Sequence, residues 1–171
     1  VPIIITALAL LLSIFNSIDQ RHALEIRQLA LPFITRLPGT ACGAWLLLQL
    51  DTKALQIMVA ACVLLAVIIT AKGKQFSYSA KKLGLAAFIS GITGTTTSIG
   101  GPPMALVMQH GTPNTVRANL SFYFVYSCIV SLLAYAYLGL ITITHIYTTL
   151  SFLPVCILGY VTGIKSRPYV D

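Results

Sequence analysis

The residues best suited to bind a ligand form a run of glycines, hydroxyl side chains and prolines. This run covers residues 88–103, FISGITGTTTSIGGPP. Paired glycines before paired prolines end one helix and begin another, and glycine lets backbone approach a ligand closely. A helix that begins at Pro102 would offer N–H groups and the positive end of its dipole to an anion, with hydroxyl donors beside it. The run therefore indicates an anion site, or alternatively a place where glycines only permit close helix packing.

The composition places this run in a membrane. The chain has 171 residues, of which 57% are hydrophobic and 9% are charged, and its mean hydropathy is +0.87. Soluble domains carry about 25% charged residues, so the composition excludes a soluble domain, a disordered tail and a conventional nucleic-acid binder. Four cysteines without a C-x-x-C pair indicate neither a disulfide scaffold nor a zinc site. We expect an all-α integral membrane protein, a multi-span helical bundle whose partners are the lipid bilayer and no nucleic acid.

Gaps between charged residues predict the membrane-spanning helices, because one crossing needs about 20 apolar residues. In the second predicted span, Arg36 is expected to extend toward its own membrane interface. The predicted spans are residues 1–18, a helix that starts near 31–34 and ends at Leu50, residues 54–71, and two helices within 118–164 joined by a turn between Gly139 and His145.

Residues 83–116 form a charge-free gap of 34 residues that fits no ordinary crossing. The gap is too long for one helix and too short for two full crossings with a turn. A hairpin of half-helices places ten of the 11 Lys and Arg residues on the cytoplasmic side and leaves Lys53 outside. A single broken crossing gives seven against four. The excess of positive charge on cytoplasmic loops therefore favours a Gly/Pro-broken hairpin.

The pattern L-P-x-x-x-x-G occurs at residues 37–43 and again 116 residues later, at 153–159. The loop before the first copy carries three arginines, whereas residues 135–152 carry no Lys or Arg. Equivalent loops of opposite charge bias are expected on opposite faces, as in the two inverted repeats of secondary transporters.

This repeat predicts three regions. Residues 1–71 would be the rest of a first repeat, residues 72–82 a cytoplasmic basic loop, and residues 83–171 a second repeat. By the same offset, we expect the first repeat's hairpin to precede Val1 and the last span of the second repeat to follow Asp171.

The arrangement resembles the sulfite exporter TauE/SafE family of membrane permeases. The resemblance covers essentially the whole chain and implies a permease for sulfite or organosulfonates. Where the family often has G-x-G-G, this chain has Ser98 in place of the first glycine. The residues that carry the resemblance are Gly91, Gly94, the run Gly100-Gly101-Pro102-Pro103, Thr112-Pro113-Asn114, Arg117-Ala118-Asn119, and the helices with Pro38/Gly43 and Pro154/Gly159.

Candidate substrate contacts lie in and after the hairpin, with no catalytic residue, metal ligand or cofactor expected. Arg117 could hold a sulfonate through two hydrogen bonds or act only as an interfacial charge that sets topology. Asn114 could donate to the substrate or be a turn residue. His110 could carry protons or lie at the interface. The predicted substrate-binding residues are Gly94, Thr95, Thr96, Thr97, Ser98, Gly100, Gly101, Pro102, Pro103, Asn114 and Arg117.

For two tyrosines and the four cysteines the sequence predicts structural roles. Tyr135 and Tyr137 are expected to anchor a span at the membrane interface. The four cysteines are expected to be small buried residues inside helices, without a redox role. They are Cys42, Cys62, Cys128 and Cys156.

The sequence predicts a transporter and no enzyme. It has no paired carboxylates in a span, no H-E-x-x-H and no phosphate-binding G-x-x-x-x-G-K-[ST] loop. We expect a secondary permease that moves small anions by alternating access, with sulfite or an organosulfonate favoured. The expected setting is a plasma membrane, with a bacterial inner membrane favoured. The sequence also allows a homo-oligomer. The alternatives are a non-transporting scaffold or assembly factor, a permease for another small solute, and a channel.

Overall fold

A computed structural model of the chain describes residues 2–51, 79–109 and 111–170, together with isolated positions between 53 and 68. These residues form helices and no strand. The elements in chain order are α1 (Pro2–Asp19), two short 3₁₀ turns (Arg21–Ala23 and Ile26–Gln28), α2 (Ala30–Gln49), α3 (Ala80–Thr97), α4 (Gly101–Met108), α5 (Pro113–Tyr137) and α6 (Ile143–Val170).

Four described segments are long and apolar enough to cross a membrane, which confirms the predicted class of helical membrane protein. They are α1, Ile26–Gln49, α5 and the Ile143–Lys165 part of α6. The turn between α5 and α6 falls where it was expected, because Gly139 takes a left-handed φ of 67° that ends α5. Only isolated positions of the predicted span 54–71 are described, and most of the predicted basic loop lies outside the described residues.

The hairpin predicted for residues 83–116 is present, with arms of unequal length. Ser98, the residue after α3, has a φ of 64°, and its left-handed backbone turns the chain back. The Ser90 hydroxyl of α3 donates a hydrogen bond to the carbonyl of Gly100, just before α4, and so joins the two arms. α3 has 18 residues, about 27 Å at 1.5 Å per residue, so only α4 is a half-helix.

Glycines hold α2 against α3 at backbone distance. A Cβ atom added to Gly39 would lie 2.3 Å from the carbonyl oxygen of Phe88, and one added to Gly43 would lie 2.8 Å from that of Ile92. From the other side, a Cβ on Gly91 would lie 2.9 Å from the Cα of Gly39. We call these three residues the glycine seam. Small residues at such a crossing let membrane helices pack without a hydrophobic driving force.

The apolar core lies where α4 packs between its neighbours. Met104 and Val107 of α4 meet Leu83 and Ala87 of α3, and Tyr123 of α5 covers the same cluster. The core thereby fixes the short arm of the hairpin against α3 and α5. The inverted relation between the two repeats, and the division at residues 71 and 83, stay predictions.

Candidate functional site

A cavity of about 270 Å³ lies beside the turn of the hairpin. Water takes up roughly 30 Å³ per molecule in the liquid, so the cavity has room for a small oxyanion with some of its hydration water. The lining comes from α1, the α3–α4 turn and α5, and consists of Thr6, Ala9, Ser13, Gly94, Ser98, Ile99, Gly100, Gly101, Pro102, Phe124, Ser127, Cys128 and Ser131.

Ser98 connects α1 to the turn. Its hydroxyl donates to the carbonyl of Pro2 at 2.7 Å and lies 2.8 Å from the hydroxyl of Thr6. A left-handed conformation costs a residue with a Cβ atom roughly 1–2 kcal/mol, and these contacts offset that cost. A glycine would adopt this conformation without that cost.

Five of the predicted site residues line the cavity: Gly94, Ser98, Gly100, Gly101 and Pro102. The close backbone approach expected of the glycine run is present at Gly100, where an added Cβ would lie 2.8 Å from the carbonyl oxygen of Ser90. Pro103 is half-buried and lies outside the lining.

The three predicted threonines lie behind the cavity, where their hydroxyls have protein partners. The Thr95 hydroxyl is 3.2 Å from that of Ser131, and the hydroxyls of Thr96 and Thr97 donate to carbonyls one turn earlier in α3. The Thr95 hydroxyl thereby links α3 to α5, whereas the hydroxyls of Thr96 and Thr97 bond the backbone of α3 itself.

The helix that starts the second arm offers fewer donors than its position suggests. α4 begins at Gly101, one residue before the expected start, and its next two residues are prolines without N–H groups. Among its first three residues, only Gly101 can donate a backbone hydrogen bond.

Asn114 and Arg117 belong to the start of α5, away from the cavity. The Thr112 hydroxyl accepts a hydrogen bond from the N–H of Thr115, so the segment Thr112–Asn114 is a capped helix start. Arg117 precedes Phe124, the first lining residue of α5, by seven positions, about 10 Å along the helix. Both side chains are exposed. His110 lies outside the described residues.

The expectation that Arg36 reaches the membrane interface is wrong. The side chain is 0% exposed and points into the bundle, between α2, α3 and α5. Its Nη1 donates to the Ser90 hydroxyl at 3.0 Å and to the Tyr123 hydroxyl at 3.2 Å, and its guanidinium carbon lies 5.5 Å from the centre of the Tyr123 ring. Its Nη2 approaches the Ser131 hydroxyl at 3.4 Å and the Ser127 carbonyl at 3.5 Å.

The guanidinium of Arg36 lies directly behind the cavity lining. Ser127 and Ser131 face the cavity and also accept from Nη2, and an added Cβ on Gly94 would be 2.9 Å from that nitrogen. A sequence signal for this position existed, because Arg36 is an isolated charge within an apolar helix and ionisable residues at membrane depth are functional candidates by default.

Two other predictions need correction. Tyr135 is fully buried, and its hydroxyl donates to the carbonyl of Thr95, so it joins α5 to α3 and is no interface anchor. Tyr137 is 92% exposed, as an anchor would be. Of the cysteines, Cys128 is buried, Cys156 is half-buried and Cys42 is exposed, which contradicts the expectation for Cys42. Cys62 lies outside the described residues.

Comparison with known proteins gives a family for the entire chain. The family described as "Sulfite exporter TauE/SafE" matches residues 1–171. No curated protein and no solved structure matches the chain. Within the described residues, no cluster of His, Cys, Asp or Glu could hold a metal ion. The family match and the four apolar helices agree with the membrane permease that the glycine–proline run and the charge pattern indicated, and the chain belongs to the sulfite exporter TauE/SafE family of membrane transporters.

Proposed function

We propose that the chain forms the transport path of a secondary permease for small anions, with sulfite or an organosulfonate as substrate. The permease alternates access between two inverted repeats in a plasma membrane, with a bacterial inner membrane as the favoured setting. The family match supports an exporter-type transporter, and the predicted opposite charge bias of equivalent loops supports the inverted repeats.

The observation that carries this proposal is the cavity at the break between α3 and α4. Irregular backbone at membrane depth is tolerated where it is buried in protein or lines a water-filled cavity. Here the break lines a cavity with the hydroxyl-bearing residues Thr6, Ser13, Ser98, Ser127 and Ser131. Hydroxyls and the backbone N–H of Gly101 can replace part of the hydration shell of an anion without adding negative charge.

The substrate in this proposal sits beside Gly100 and Gly101, between the hairpin and α1. Of the predicted substrate contacts, Gly94, Ser98, Gly100, Gly101 and Pro102 are retained because they line the cavity. Thr95, Thr96, Thr97, Pro103, Asn114 and Arg117 are not given a direct contact.

The test is flux of sulfite and methanesulfonate into proteoliposomes that contain the full-length protein. Gly101→Val should abolish saturable flux, because the first added carbon would lie 3.4 Å from the Phe124 ring and its two methyl groups would occupy part of the cavity beside Gly101. Gly159→Val is the matched control, since an added Cβ there has no described neighbour within 4 Å. Folded protein that passes only cations or neutral solutes would contradict the proposal.

The glycine seam favours a second candidate, a scaffold in which glycines serve only to pack helices. That candidate predicts no flux from well-folded wild-type protein and a loss of folded protein as the sole effect of Gly101→Val. Single-channel currents would instead identify a channel.

A further inference from the structure

Arg36 carries a buried positive charge without a described counter-charge. Three of the four acidic residues of the chain, Asp19, Glu25 and Asp51, are described, and none contacts the guanidinium. Its partners are three hydroxyls and one carbonyl. A buried charge is costly unless it is both paired and hydrogen-bonded, so this arrangement needs a further explanation.

The hydrogen bonding around Arg36 is also incomplete. Its Nε is buried without a described partner, and two of the four contacts of the Nη atoms are long, at 3.4 and 3.5 Å. One turn further along the same face of α2, the Thr40 hydroxyl is likewise buried and without a described partner. Native structures rarely leave such groups unsatisfied, and a ligand site is one of the recognised reasons.

Only a thin layer separates this charge from the cavity. The layer consists of Ser127, Ser131 and the bare backbone of Gly94, and each of these residues both faces the cavity and adjoins Nη2. A side chain at residue 94 would occupy the gap between them. Because Gly94 has no side chain, only its backbone lies on the shortest path from the cavity to the guanidinium.

We propose that Arg36 is the positive charge that pairs with the transported anion, and that it selects oxyanions with a single negative charge. This inference rests on the proposed permease function. A guanidinium presents N–H groups in a planar fork that matches two oxygens of a sulfonate, a hydrogensulfite or a carboxylate. One buried guanidinium neutralises one negative charge, and the hydroxyls of the lining neutralise none. A dianion would therefore retain an unpaired charge inside the protein.

Ser131 is the residue that can rearrange to admit the anion. Its hydroxyl lies between Nη2 of Arg36 and the hydroxyl of Thr95, at 3.4 and 3.2 Å. Rotation of this short side chain would let it donate to the anion while Nη2 takes an anion oxygen as its new acceptor. The Thr95 side chain stays in place behind it.

The test measures how ligands stabilise the purified full-length protein against heat. The three ligands are methanesulfonate, sulfate and the neutral dimethyl sulfone, which have similar shapes and differ in charge. For wild-type protein, we expect methanesulfonate to bind at least 10-fold more tightly than sulfate, and dimethyl sulfone to give no shift. Equal binding of dimethyl sulfone and methanesulfonate, or no binding of methanesulfonate, would overturn the inference.

Two variants test whether Arg36 is the charge that binds the anion. Arg36→Lys keeps the charge and loses the fork, and Gly94→Ala keeps the arginine but places a methyl group against it. Each should weaken methanesulfonate binding roughly 10- to 100-fold, the range for a charge-assisted hydrogen bond. Arg27→Lys, at an exposed position in the second 3₁₀ turn, is the matched control and should bind as wild type does. Wild-type affinity in both Arg36→Lys and Gly94→Ala would refute the role of Arg36.

Flux measurements on the same variants separate this inference from the permease proposal. Binding that depends on Arg36, in a protein that shows no anion flux, would refute the permease and leave the anion site standing. Anion flux that is unchanged in both variants would refute the role of Arg36 and leave the permease standing.

Discussion

The helices α2 and α6 carry the same L-P-x-x-x-x-G pattern and pack in opposite ways. On α2, Gly39 and Gly43 lie against the backbone of α3. On α6, no residue between 143 and 165 is buried, and Cβ atoms added to Gly159 or Gly163 would meet nothing described within 4 Å. Within the described residues, the pattern therefore permits close packing, and the packing occurs where a hairpin lies beside it.

The offset of 116 residues also shows where the two copies differ in sequence. Arg36 of α2 corresponds to Phe152 of α6, and Gly39 corresponds to Val155, while the proline and the last glycine are kept. Phe152 and Val155 are both exposed. The copy that packs on the hairpin thus has a second glycine for the contact and a charge behind the cavity. Exchanges between equivalent positions test this difference between α2 and α6.

The largest effect is expected from Gly39→Val. Because even a Cβ atom at this position would lie 2.3 Å from the Phe88 carbonyl, α2 and α3 would have to move apart along the glycine seam. Overpacking of this kind commonly costs 1–3 kcal/mol, occasionally more, and here we expect loss of the folded protein. The measurement is the yield of monodisperse protein after purification.

The matched exchange is Val155→Gly in the second copy. It should lower the free energy of unfolding by at most about 1 kcal/mol, the penalty of a glycine inside a helix. Equal losses of folded protein in the two exchanges would show that the α2 and α6 copies do not differ as described.

Arg36→Met should have the next largest effect, and in the direction of higher stability. Replacing buried ionic groups by apolar residues of similar size is often neutral or stabilising by about 1–4 kcal/mol. Ser90 and Ser131 would retain other hydrogen-bond partners, the Gly100 carbonyl and the Thr95 hydroxyl. We expect a thermal midpoint without ligand at or above that of wild type, together with loss of stabilisation by methanesulfonate.

Phe152→Met, at the equivalent exposed position, should change neither the thermal midpoint without ligand nor the stabilisation by methanesulfonate. A lower thermal midpoint for Arg36→Met would identify the arginine as a structural clamp between α2, α3 and α5.

A smaller effect is expected for Tyr135→Phe, which extends the comparison to α5. The variant removes the hydrogen bond to the Thr95 carbonyl that ties α5 to the packed hairpin. The free energy of unfolding should fall by about 1 kcal/mol, the usual contribution of one hydrogen bond. Tyr137→Phe, on the 92% exposed neighbour, is the control and should leave the thermal midpoint unchanged.

The smallest effect is expected for Gly159→Ala on α6. Because nothing described lies within 4 Å of the added Cβ atom, the substitution meets no steric cost, and alanine favours the helix by up to about 1 kcal/mol. The thermal midpoint should stay the same or rise slightly. A clear fall would mean that Gly159 packs against another surface as Gly43 does.

The sequence alone predicts the spans and the hairpin because both depend on the local amino-acid composition. Apolar stretches with few charges mark α1, α2, α5 and α6, and the Gly100–Pro103 run marks the end of one helix and the start of another. The length of α3 was harder to predict. Gly91 and Gly94 would weaken an isolated helix, but here they allow contact with the α2 backbone and with Arg36, which outweighs their low propensity.

The interior positions of Arg36 and Tyr135 could not be predicted in the same way. A charged or amphipathic residue in an apolar helix is placed at the interface by default, since the interface satisfies its polar group. Arg36 instead donates hydrogen bonds to Ser90, Tyr123 and Ser131, which lie more than 50 positions away in the chain. Only the folded arrangement of α2, α3 and α5 brings these groups together.

The most direct test of the central claim is to locate a bound anion in a crystal of the full-length protein. Bromomethanesulfonate carries a sulfonate and a bromine atom whose anomalous scattering marks its position. We expect one bromine peak inside the cavity lined by Gly94, Gly100 and Ser131, with sulfonate density against Arg36. A fully occupied peak elsewhere, with this cavity holding only water, would contradict it.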